Sequence, residues 1–460
     1  MKHLSLVDFK KLPDSYMINK PSKGELYKNL RGISIDSRST KVDQVFWALK
    51  GPNYDGHDFV LDAIKQGAAA VVINRTHVGH LSGRGFPLIV VQDSLKALQQ
   101  MAALHRRKYN IPVLAITGTN GKTTTKEMLA WILQTKMNVH RTAGNLNNHI
   151  GVPLTLLNLN HTHQFSIVEL GSNHPGEIAL LSNITKPTAA LITNIGRGHL
   201  EFFSSIEGVA REKLDLFKKL TRSGTIYLNC DDPRLANYHT RRKNIWTYSL
   251  NKNTTAKVTG SFIRLNSNGE GLWILNNRLT ITLHIAGLHN VKNALAASTV
   301  AISLGYSEQE IKSALEEFTP YEKRMQIIKN GKITIINDSY NANPDSYIPA
   351  LDTLMHIAQE HKSRKIVVMG DMLELGLKSD TLHQDLFFNL LNYDLDGIFT
   401  MGDACAIAAE KLRTRGFENI YSFTSHQRLA KKLKSFIKKN DIILLKGSRG
   451  MQMEKILAFL

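Results

Sequence analysis

Residues 111–125 read Ile-Pro-Val-Leu-Ala-Ile-Thr-Gly-Thr-Asn-Gly-Lys-Thr-Thr-Thr. The apolar run has the length of a buried strand and ends at Thr117, and a helical pattern opens at Lys122. Gly118 and Gly121 allow a tight intervening turn, so that successive backbone N–H groups point at one place. The positive end of the following helix strengthens that field. The stretch therefore predicts a strand, an anion-binding loop and a helix.

The residue types in this loop fit the phosphates of a nucleoside triphosphate. Lys122 can reach the terminal phosphates, and the Thr123 hydroxyl can ligate Mg²⁺. The usual P-loop has a longer spacer between its glycines. An ordinary glycine turn with a solvated lysine is the alternative, but the strand-turn-helix context favours a nucleotide site. We expect contacts with the nucleoside triphosphate from Gly118, Thr119, Asn120, Gly121, Lys122, Thr123 and Thr124.

The length and composition of the chain favour a multidomain globular protein of the reducing cytoplasm. A chain of 460 residues is too long for one core and suggests about three domains. No apolar run approaches the ~18 residues of a membrane span, and the first residues lack the apolar stretch of a secretion signal. Cys230 and Cys405 are the only cysteines, which provides no disulfide framework.

The chain is strongly basic, with a net charge of +19 from 58 basic and 39 acidic residues. Such a surplus suits nucleic acid, an anionic membrane surface or acidic substrates. The basic clusters are short, and the cluster at 431–439 lies in an amphipathic helix pattern, where its lysines form a solvated face. No nucleic-acid recognition module or aromatic interleaving is present. We expect no nucleic-acid partner, and a basic nucleic-acid-dependent ATPase is the less favoured alternative.

Apolar runs and periodicity predict alternating strands and helices on both sides of the loop. Before it, strands are predicted at 33–36, 45–49, 69–73 and 88–91, and helices at 60–65 and 94–106. After it, strands are predicted at 333–336, 366–369, 397–401 and 442–445, with helices between them, which is the pattern of a parallel sheet. A small antiparallel insertion is predicted at 250–285. Pro349 is predicted to break the first turns of the helix that contains it.

A carboxylate stands near the end of the next apolar run. Residues 165–170 read as a buried strand, and Glu169 lies at its C-terminal end. Parallel sheets bind ligands in the crevice at the C-terminal ends of their strands. Glu169 is therefore well placed to hold Mg²⁺ beside the phosphate loop.

Several motifs together resemble one enzyme family. The string 117–124 resembles the short P-loop of the Mur ligase family, whose members are ATP-dependent amide-forming ligases of bacterial cell-wall synthesis and their relatives. Further motifs at 36–38, 142–153, 287–294 and 338–346 also resemble those of this family. The resemblance covers nearly the whole chain. It implies an α/β fold with the three-domain Mur ligase architecture: a UDP-sugar substrate domain at 1–108, a central P-loop nucleotide-binding domain at 109–318 and a Rossmann-like C-terminal domain at 319–460.

The resemblance also implies an activity. The string 338–346, Asp-Ser-Tyr-Asn-Ala-Asn-Pro-Asp-Ser, is similar to that of the members that join D-alanyl-D-alanine to UDP-N-acetylmuramoyl-tripeptide in peptidoglycan precursor synthesis. In that chemistry ATP, with Mg²⁺, converts a carboxylate to an acyl phosphate, which the dipeptide amine attacks. Another Mur-type amino-acid ligase is the alternative within the family. The tripeptide and the dipeptide are then the expected partners of a chain that we expect to act as a monomer.

The resemblance assigns roles to individual residues. Lys122, Lys213 and His199 are implied to be catalytic, and the implied Mg²⁺ ligands are Thr123, Glu169, His199 and Lys213, the last as a carbamate. Further ATP contacts are implied for Asn290, Arg324, Asp338 and Asn341, and substrate contacts for Ser37, Arg38, Asn145, Asn148, Asn343, Asp345 and Ser346. Without the resemblance, Lys213 reads as an ordinary exposed lysine and His199 as a surface or capping histidine. The chain departs from the family's usual residues at Arg197, Gly198 and Ser204.

Overall fold

A computed structural model of the chain describes residues 4–251, 255–319 and 322–460, which form three β-sheets flanked by helices. None of the helices in these ranges is both long and apolar enough to cross a bilayer. Short 3-10 helices lie at Leu6–Lys11, Ser37–Ser39, Gly56–Phe59, Arg75–His77, Ser82–Arg84, Gly376–Lys378, Arg449–Met451 and Met453–Phe459.

The N-terminal unit is built on a five-stranded sheet. Its strands are β1 (Tyr16–Ile18), β2 (Ile33–Ser34), β3 (Val45–Trp47), β4 (Ala70–Asn74) and β5 (Leu88–Val91), and its helices are α1 (Lys23–Tyr27), α2 (Val60–Lys65), α3 (Val78–Leu81) and α4 (Ser94–Arg106). The order is β1-β5-β4-β3-β2, and β1 pairs antiparallel with β5 while the others are parallel. The predicted bounds of α2 and α4 are confirmed.

The middle unit is built on a nine-stranded sheet in the order β14-β13-β12-β11-β10-β9-β6-β8-β7. Its strands are β6 (Val113–Thr117), β7 (Val139–Arg141), β8 (Phe165–Glu169), β9 (Ala189–Ile192), β10 (Thr225–Asn229), β11 (Ile245–Ser249), β12 (Val258–Leu265), β13 (Glu270–Leu275) and β14 (Leu279–Ala286). Its helices are α5 (Lys122–Leu133), α6 (Gly151–Leu157), α7 (Glu177–Thr185), α8 (Leu200–Phe203), α9 (Ile206–Lys219), α10 (Pro233–Ala236), α11 (Leu288–Ser303) and α12 (Glu308–Glu316).

The central strand β6 explains how this unit is held together. Its alternating residues face two cores, with Val113 and Ala115 packed on one side and Leu114 and Ile116 on the other. Because β6 lies between β8 and β9 and all three run parallel, their C-terminal ends meet at one edge of the sheet. The phosphate loop and Glu169 are therefore neighbours.

The predicted antiparallel insertion is present as β12, β13 and β14, although residues 252–254 of the predicted range lie outside the described residues. Strand β12 also pairs parallel with β11, so the insertion extends the main sheet.

The C-terminal unit has a six-stranded sheet in the order β15-β16-β20-β17-β18-β19. Its strands are β15 (Gln326–Asn330), β16 (Ile333–Asp338), β17 (Lys365–Gly370), β18 (Gly397–Met401), β19 (Ile420–Phe423) and β20 (Ile442–Lys446), and its helices are α13 (Pro344–His361), α14 (Ser379–Leu390), α15 (Asp403–Arg413) and α16 (His426–Phe436). The four predicted strands are confirmed. The two that were not predicted, β15 and β19, are the edge strands, whose partial exposure removes the continuous apolar run.

The predicted helix break at Pro349 is wrong. Helix α13 runs from Pro344 through Pro349 to His361. Proline there removes one backbone bond, to the Asp345 carbonyl. The helix start is secured independently, because Asn343 and Ser346 form a capping box, and the Thr353 hydroxyl donates to the Pro349 carbonyl over 2.7 Å.

Candidate active site

The loop between β6 and α5 requires glycine at two positions. The φ angles of Gly118 and Gly121 are +147° and +80°. A Cβ atom at Gly118 would collide with the Thr193 hydroxyl, and one at Gly121 would collide with the Asn293 side chain. The loop is therefore packed tightly against the residues that follow β9 and against α11, which fixes the direction of its backbone N–H groups.

Asn120, at the middle of the loop, is held on three sides. Its backbone N–H donates to Asn194 Oδ1 over 3.0 Å, and its carbonyl accepts from the Thr193 hydroxyl over 2.6 Å. Its side chain exchanges hydrogen bonds with Asn343 from the C-terminal unit. The loop is thus shaped by contacts from two units before any ligand contributes.

Lys122 folds back over the loop. Its Nζ donates to the Gly118 carbonyl over 2.7 Å and to the Thr119 carbonyl over 3.2 Å. Burial lowers the pKa of Lys122, Glu169 opposes that shift, and Arg324 adds to it. The amine is therefore held over the loop by two backbone carbonyls.

The Thr123 hydroxyl links two units of the protein. It donates to Glu169 Oε2 over 2.9 Å and accepts from Arg324 Nη2 over 3.0 Å. Glu169 is almost fully buried and also accepts from Asn147 Nδ2 over 2.8 Å, while Lys126 Nζ lies 3.6 Å away. A hydroxyl and a buried carboxylate in contact offer the hard oxygen donors that Mg²⁺ prefers, so these residues fit that metal.

The other two predicted metal ligands are placed differently. His199 borders the same cavity as Thr123 and Glu169, but its Nδ1 lies 2.5 Å from Glu374 Oε2. This contact lowers the pKa of the Glu374 carboxyl. Lys213 is 2% exposed and, among the described residues, stands apart from those lining the cavity. Burial, assisted by the charge of Lys122, lowers its pKa to about 7, so the reading as an exposed lysine is wrong.

Two predicted ATP residues, Asp338 and Asn341, surround a buried lysine of the C-terminal unit. Lys446 Nζ donates to Asp338 Oδ2 over 2.5 Å and to the Asn341 carbonyl over 3.1 Å. Close by, the Arg324 guanidinium lies over the Tyr340 ring, 3.9 Å from its centroid. This stacking holds Arg324 toward the phosphate loop of the middle unit.

The predicted substrate residues of the C-terminal unit make contacts within the protein. Asn343 and Ser346 exchange bonds in the capping box of α13. Asp345 Oδ1 accepts from Arg197 Nε over 2.8 Å and forms an ion pair with Arg197 Nη2 at 2.7 Å, and Asp345 Oδ2 accepts from the Arg197 backbone N–H. Arg197, where the chain departs from the family's usual residues, thus joins the middle unit to the C-terminal unit.

The remaining predicted residues divide between two places. Asn145, Asn148 and Asn290 line the cavity, and Asn148 Oδ1 accepts from two backbone N–H groups at the start of α6. In contrast, Ser37 is buried in the N-terminal unit, and Arg38 is paired with Asp36 Oδ2 over 2.7 Å with its side chain 87% exposed. A second cavity of about 250 Å³ lies beside them, lined by residues of the N-terminal and middle units.

A cavity of about 510 Å³ joins these groups at the boundary of the middle and C-terminal units. The predicted residues that line it are Thr119, Asn120, Gly121, Lys122, Thr123, Thr124, Asn145, Asn148, Glu169, His199, Asn290, Arg324, Asp338, Asn341, Asn343, Asp345 and Ser346. No role was predicted for further polar residues at the site, which are Lys126, Asn147, Asn293, Tyr340, Glu374 and Lys446. Asn147, Asn293 and Tyr340 lie within the motifs at 142–153, 287–294 and 338–346, and Lys126 lies one helical turn after Lys122.

Three family models match this chain. They are the Mur ligase family catalytic domain over residues 29–106, the Mur ligase middle domain over 116–301 and the Mur ligase glutamate ligase domain over 323–449. Together they reach all three sheets, although β1 and the first residues of β6 lie outside the matched ranges.

Individual relatives agree with these matches. The UDP-N-acetylmuramoyl-tripeptide–D-alanyl-D-alanine ligase of Bacillus subtilis is 35% identical, over 93% of this chain and 92% of that protein. A crystal structure of MurF from Acinetobacter baumannii has a TM-score of 0.88 at 30% identity, covering 100% of this chain and 98% of that one. The MurF ligase of Thermotoga maritima in complex with ADP has a TM-score of 0.80 at 26% identity, covering 93% and 96%.

Proposed function

The chain belongs to the Mur ligase family, and on that basis we propose that it joins D-alanyl-D-alanine to UDP-N-acetylmuramoyl-tripeptide with conversion of ATP to ADP and phosphate. The observation that carries the proposal is one cavity, bordered by the phosphate loop on one side and by the 338–346 string on the other. Relatives that bear the name of this ligase match the chain over nearly its full length.

The first chemical step is the activation of a carboxylate. An oxygen of the tripeptide carboxylate attacks the γ-phosphorus of ATP, the bond to the β–γ bridging oxygen breaks, and ADP leaves with that electron pair. Lys122 exchanges its carbonyl partners for the transferred phosphoryl oxygens, whose charge it neutralises together with the loop N–H groups. Arg324 lies within reach of the same region through its bond to Thr123.

The second step is amide formation. The neutral amine of the dipeptide attacks the carbonyl of the acyl phosphate, the tetrahedral adduct collapses, phosphate leaves, and the nitrogen loses a proton. Water would compete with the amine for the acyl phosphate, so the cavity must exclude it. The pair of Arg197 with Asp345 joins the two units next to the cavity, since Asp345 lines it.

Thr123, Glu169, His199 and the carbamate form of Lys213 are the proposed Mg²⁺ ligands. The contact of Thr123 with the buried Glu169 supports this set, as does the lowered pKa of Lys213, because only a neutral amine combines with CO₂. When bound, the metal neutralises phosphate charge and orients the phosphoryl group.

Each unit is proposed to hold one substrate. Residues 1–108 hold the UDP-sugar through Ser37 and Arg38, beside the second cavity. Residues 109–318 hold ATP, with Asn290 near the adenine, and residues 319–460 supply Arg324, Asp338 and Asn341 to ATP and Asn343, Asp345 and Ser346 to the dipeptide. Asn145 and Asn148 lie on the tripeptide side. The enzyme is proposed to act as a monomer in the cytoplasm.

The test is an assay of phosphate release and product mass with purified UDP-N-acetylmuramoyl-tripeptide and ATP. D-Alanyl-D-alanine should support turnover, whereas single amino acids and duplex DNA should not. Equal turnover with a single amino acid would indicate another Mur-type ligase. DNA-stimulated ATP hydrolysis without ligation would contradict the proposal altogether.

A further inference from the structure

Four lysine and arginine side chains of the described residues line the cavity between the middle and C-terminal units, and three of them are engaged by the protein. Lys122 is held by carbonyls of the phosphate loop, and Arg324 donates to the Thr123 hydroxyl. Lys446 donates to a carboxylate of its own unit. Arg449 has no hydrogen-bond or ion-pair partner among the residues that the structure describes. Its guanidinium is therefore available to an anionic ligand in the cavity.

Arg449 shares an aromatic ring with Arg324. Both guanidinium groups lie over the ring of Tyr340, with Cζ of Arg449 5.1 Å and Cζ of Arg324 3.9 Å from the ring centroid. The electron-rich face of the ring attracts both cations and holds them at the same part of the cavity, which Tyr340 also lines. Because two like charges near one another repel, a negatively charged ligand at this place is favoured.

The backbone that carries Arg449 is anchored beside a residue that the proposed function assigns to the dipeptide. The preceding residue, Ser448, is 4% exposed, and its hydroxyl donates to the Ala342 carbonyl over 3.3 Å. Ala342 immediately precedes Asn343 in the chain. Arg449 is thus fixed on the dipeptide side of the cavity, whereas the hydroxyl partner of Arg324 belongs to the phosphate loop and its helix.

From these contacts we infer that Arg449 binds the terminal carboxylate of the dipeptide and so determines acceptor specificity, an inference that rests on the proposed function. The dipeptide must present a neutral amine to the acyl phosphate, which leaves the carboxylate as its one charge. Moving an unpaired carboxylate from water into a cavity is costly. A planar guanidinium offsets that cost, because it can donate N–H groups to both carboxylate oxygens.

The experiment compares D-alanyl-D-alanine with D-alanyl-D-alaninamide, which keeps the reacting amine and lacks the carboxylate charge. Steady-state ligation is measured with the full-length protein, UDP-N-acetylmuramoyl-tripeptide and ATP. In the unchanged protein the KM for the amide should exceed that for the acid by roughly 10–100-fold, the range expected of a hydrogen bond to a charged group. Arg449→Met should raise the KM for the acid by a similar factor and leave the KM for the amide and for ATP unaltered. Arg449→Lys should give an intermediate KM for the acid, because the ammonium keeps the charge without the planar fork.

Arg415→Met is the matched control. The Arg415 guanidinium also lies over an aromatic ring, 4.0 Å from the centroid of Phe388, but Arg415 does not line the cavity. All its KM values should equal those of the unchanged protein.

Three results would overturn the role of Arg449. The first is an equal KM for acid and amide in the unchanged protein, or an unaltered KM for the acid in Arg449→Met. The second is an equal rise for acid and amide in Arg449→Met, which would indicate a general disturbance of the cavity. The third is a raised KM for ATP alone, which would assign Arg449 to the phosphates. If the unchanged protein ligates neither acceptor, the proposed function fails and this inference fails with it.

Discussion

Asn120 in the phosphate loop and Asn343 at the start of α13 face each other across two units, with Asn343 Nδ2 donating to Asn120 Oδ1 over 2.8 Å and Asn120 Nδ2 lying 3.4 Å from Asn343 Oδ1. The Asn343 side chain, which caps α13 in the C-terminal unit, thus also contacts the phosphate loop of the middle unit. The side-chain amide of Asn343 therefore couples the position of the phosphate loop to that of the C-terminal unit.

This contact predicts a coupling between the two asparagines. Asn120→Ala and Asn343→Ser should each slow ligation, by about 2–10-fold for an interaction of about 0.5–1.5 kcal/mol. Serine still caps a helix, so the melting temperature of Asn343→Ser should stay close to that of the unchanged protein. The double variant should be no slower than the worse single variant in steady-state kinetics. Fully multiplicative losses would show that the two side chains act independently.

Lys122 is predicted to be required for turnover and dispensable for folding. Lys122→Ala should reduce the rate of phosphate release by roughly 10²–10³-fold or more, because the cation that offsets phosphoryl charge is lost. Circular dichroism should show an intact fold. Lys136, on the surface and paired with Glu310, is the matched control, and Lys136→Ala should retain near-normal turnover. Near-normal turnover of Lys122→Ala would refute the phosphate-loop role.

Lys213 is predicted to carry a carbamate when CO₂ is present. Because burial lowers its pKa to about 7, much of the amine is neutral at physiological pH and able to react. Lys213→Ala should lose ligase activity, and a small added carboxylic acid should restore part of it. Native mass spectrometry in bicarbonate should show the added mass of CO₂. An unmodified lysine together with an active Lys213→Ala enzyme would contradict the prediction.

The buried amine of Lys213 also predicts a pH dependence of stability. Its pKa is lowered from 10.5 to about 7 on folding, so between these values the unfolded chain binds more protons and stability rises with pH. Lys213→Met removes this dependence. Relative to the unchanged protein, the variant should therefore gain most stability below pH 7 and least near pH 10.5, in urea unfolding without bicarbonate or divalent metal. A pH-independent difference would show that Lys213 has an ordinary pKa in the folded protein.

The surplus positive charge is predicted to steer anionic substrates. Raising the salt concentration should raise the KM for the nucleotide substrates modestly, because the effect is long-ranged and screened over about 8 Å at physiological ionic strength. The measurement is KM against ionic strength with kcat as the internal reference. Tight, salt-sensitive duplex binding in a fluorescence anisotropy titration would assign the charge to nucleic acid.

Short segments of sequence were sufficient to predict the turns, strands and helices that depend on neighbouring residues. The glycines at 118 and 121 suit the positive φ angles of the turn, and the apolar run of β6 is that of a strand buried on both faces. The bounds of α2 and α4 follow in the same way from periodicity, with Asp93 capping α4. The α/β class was predicted from such patterns, and the family from the resemblance of the quoted motifs.

Relationships between distant residues were decided only by the tertiary structure. Nothing near Lys213 in the sequence reveals that it is buried within range of the Lys122 charge, and nothing near Asp345 reveals that Arg197 pairs with it. The edge strands β15 and β19 were missed because their half-exposed faces carry polar residues. Pro349 remains within helix α13 because the capping box secures the start of the helix although one backbone hydrogen bond is lost. Burial, pKa and contacts between units depend on which surfaces the folded chain brings together, and that is a property of the whole packing rather than of any segment.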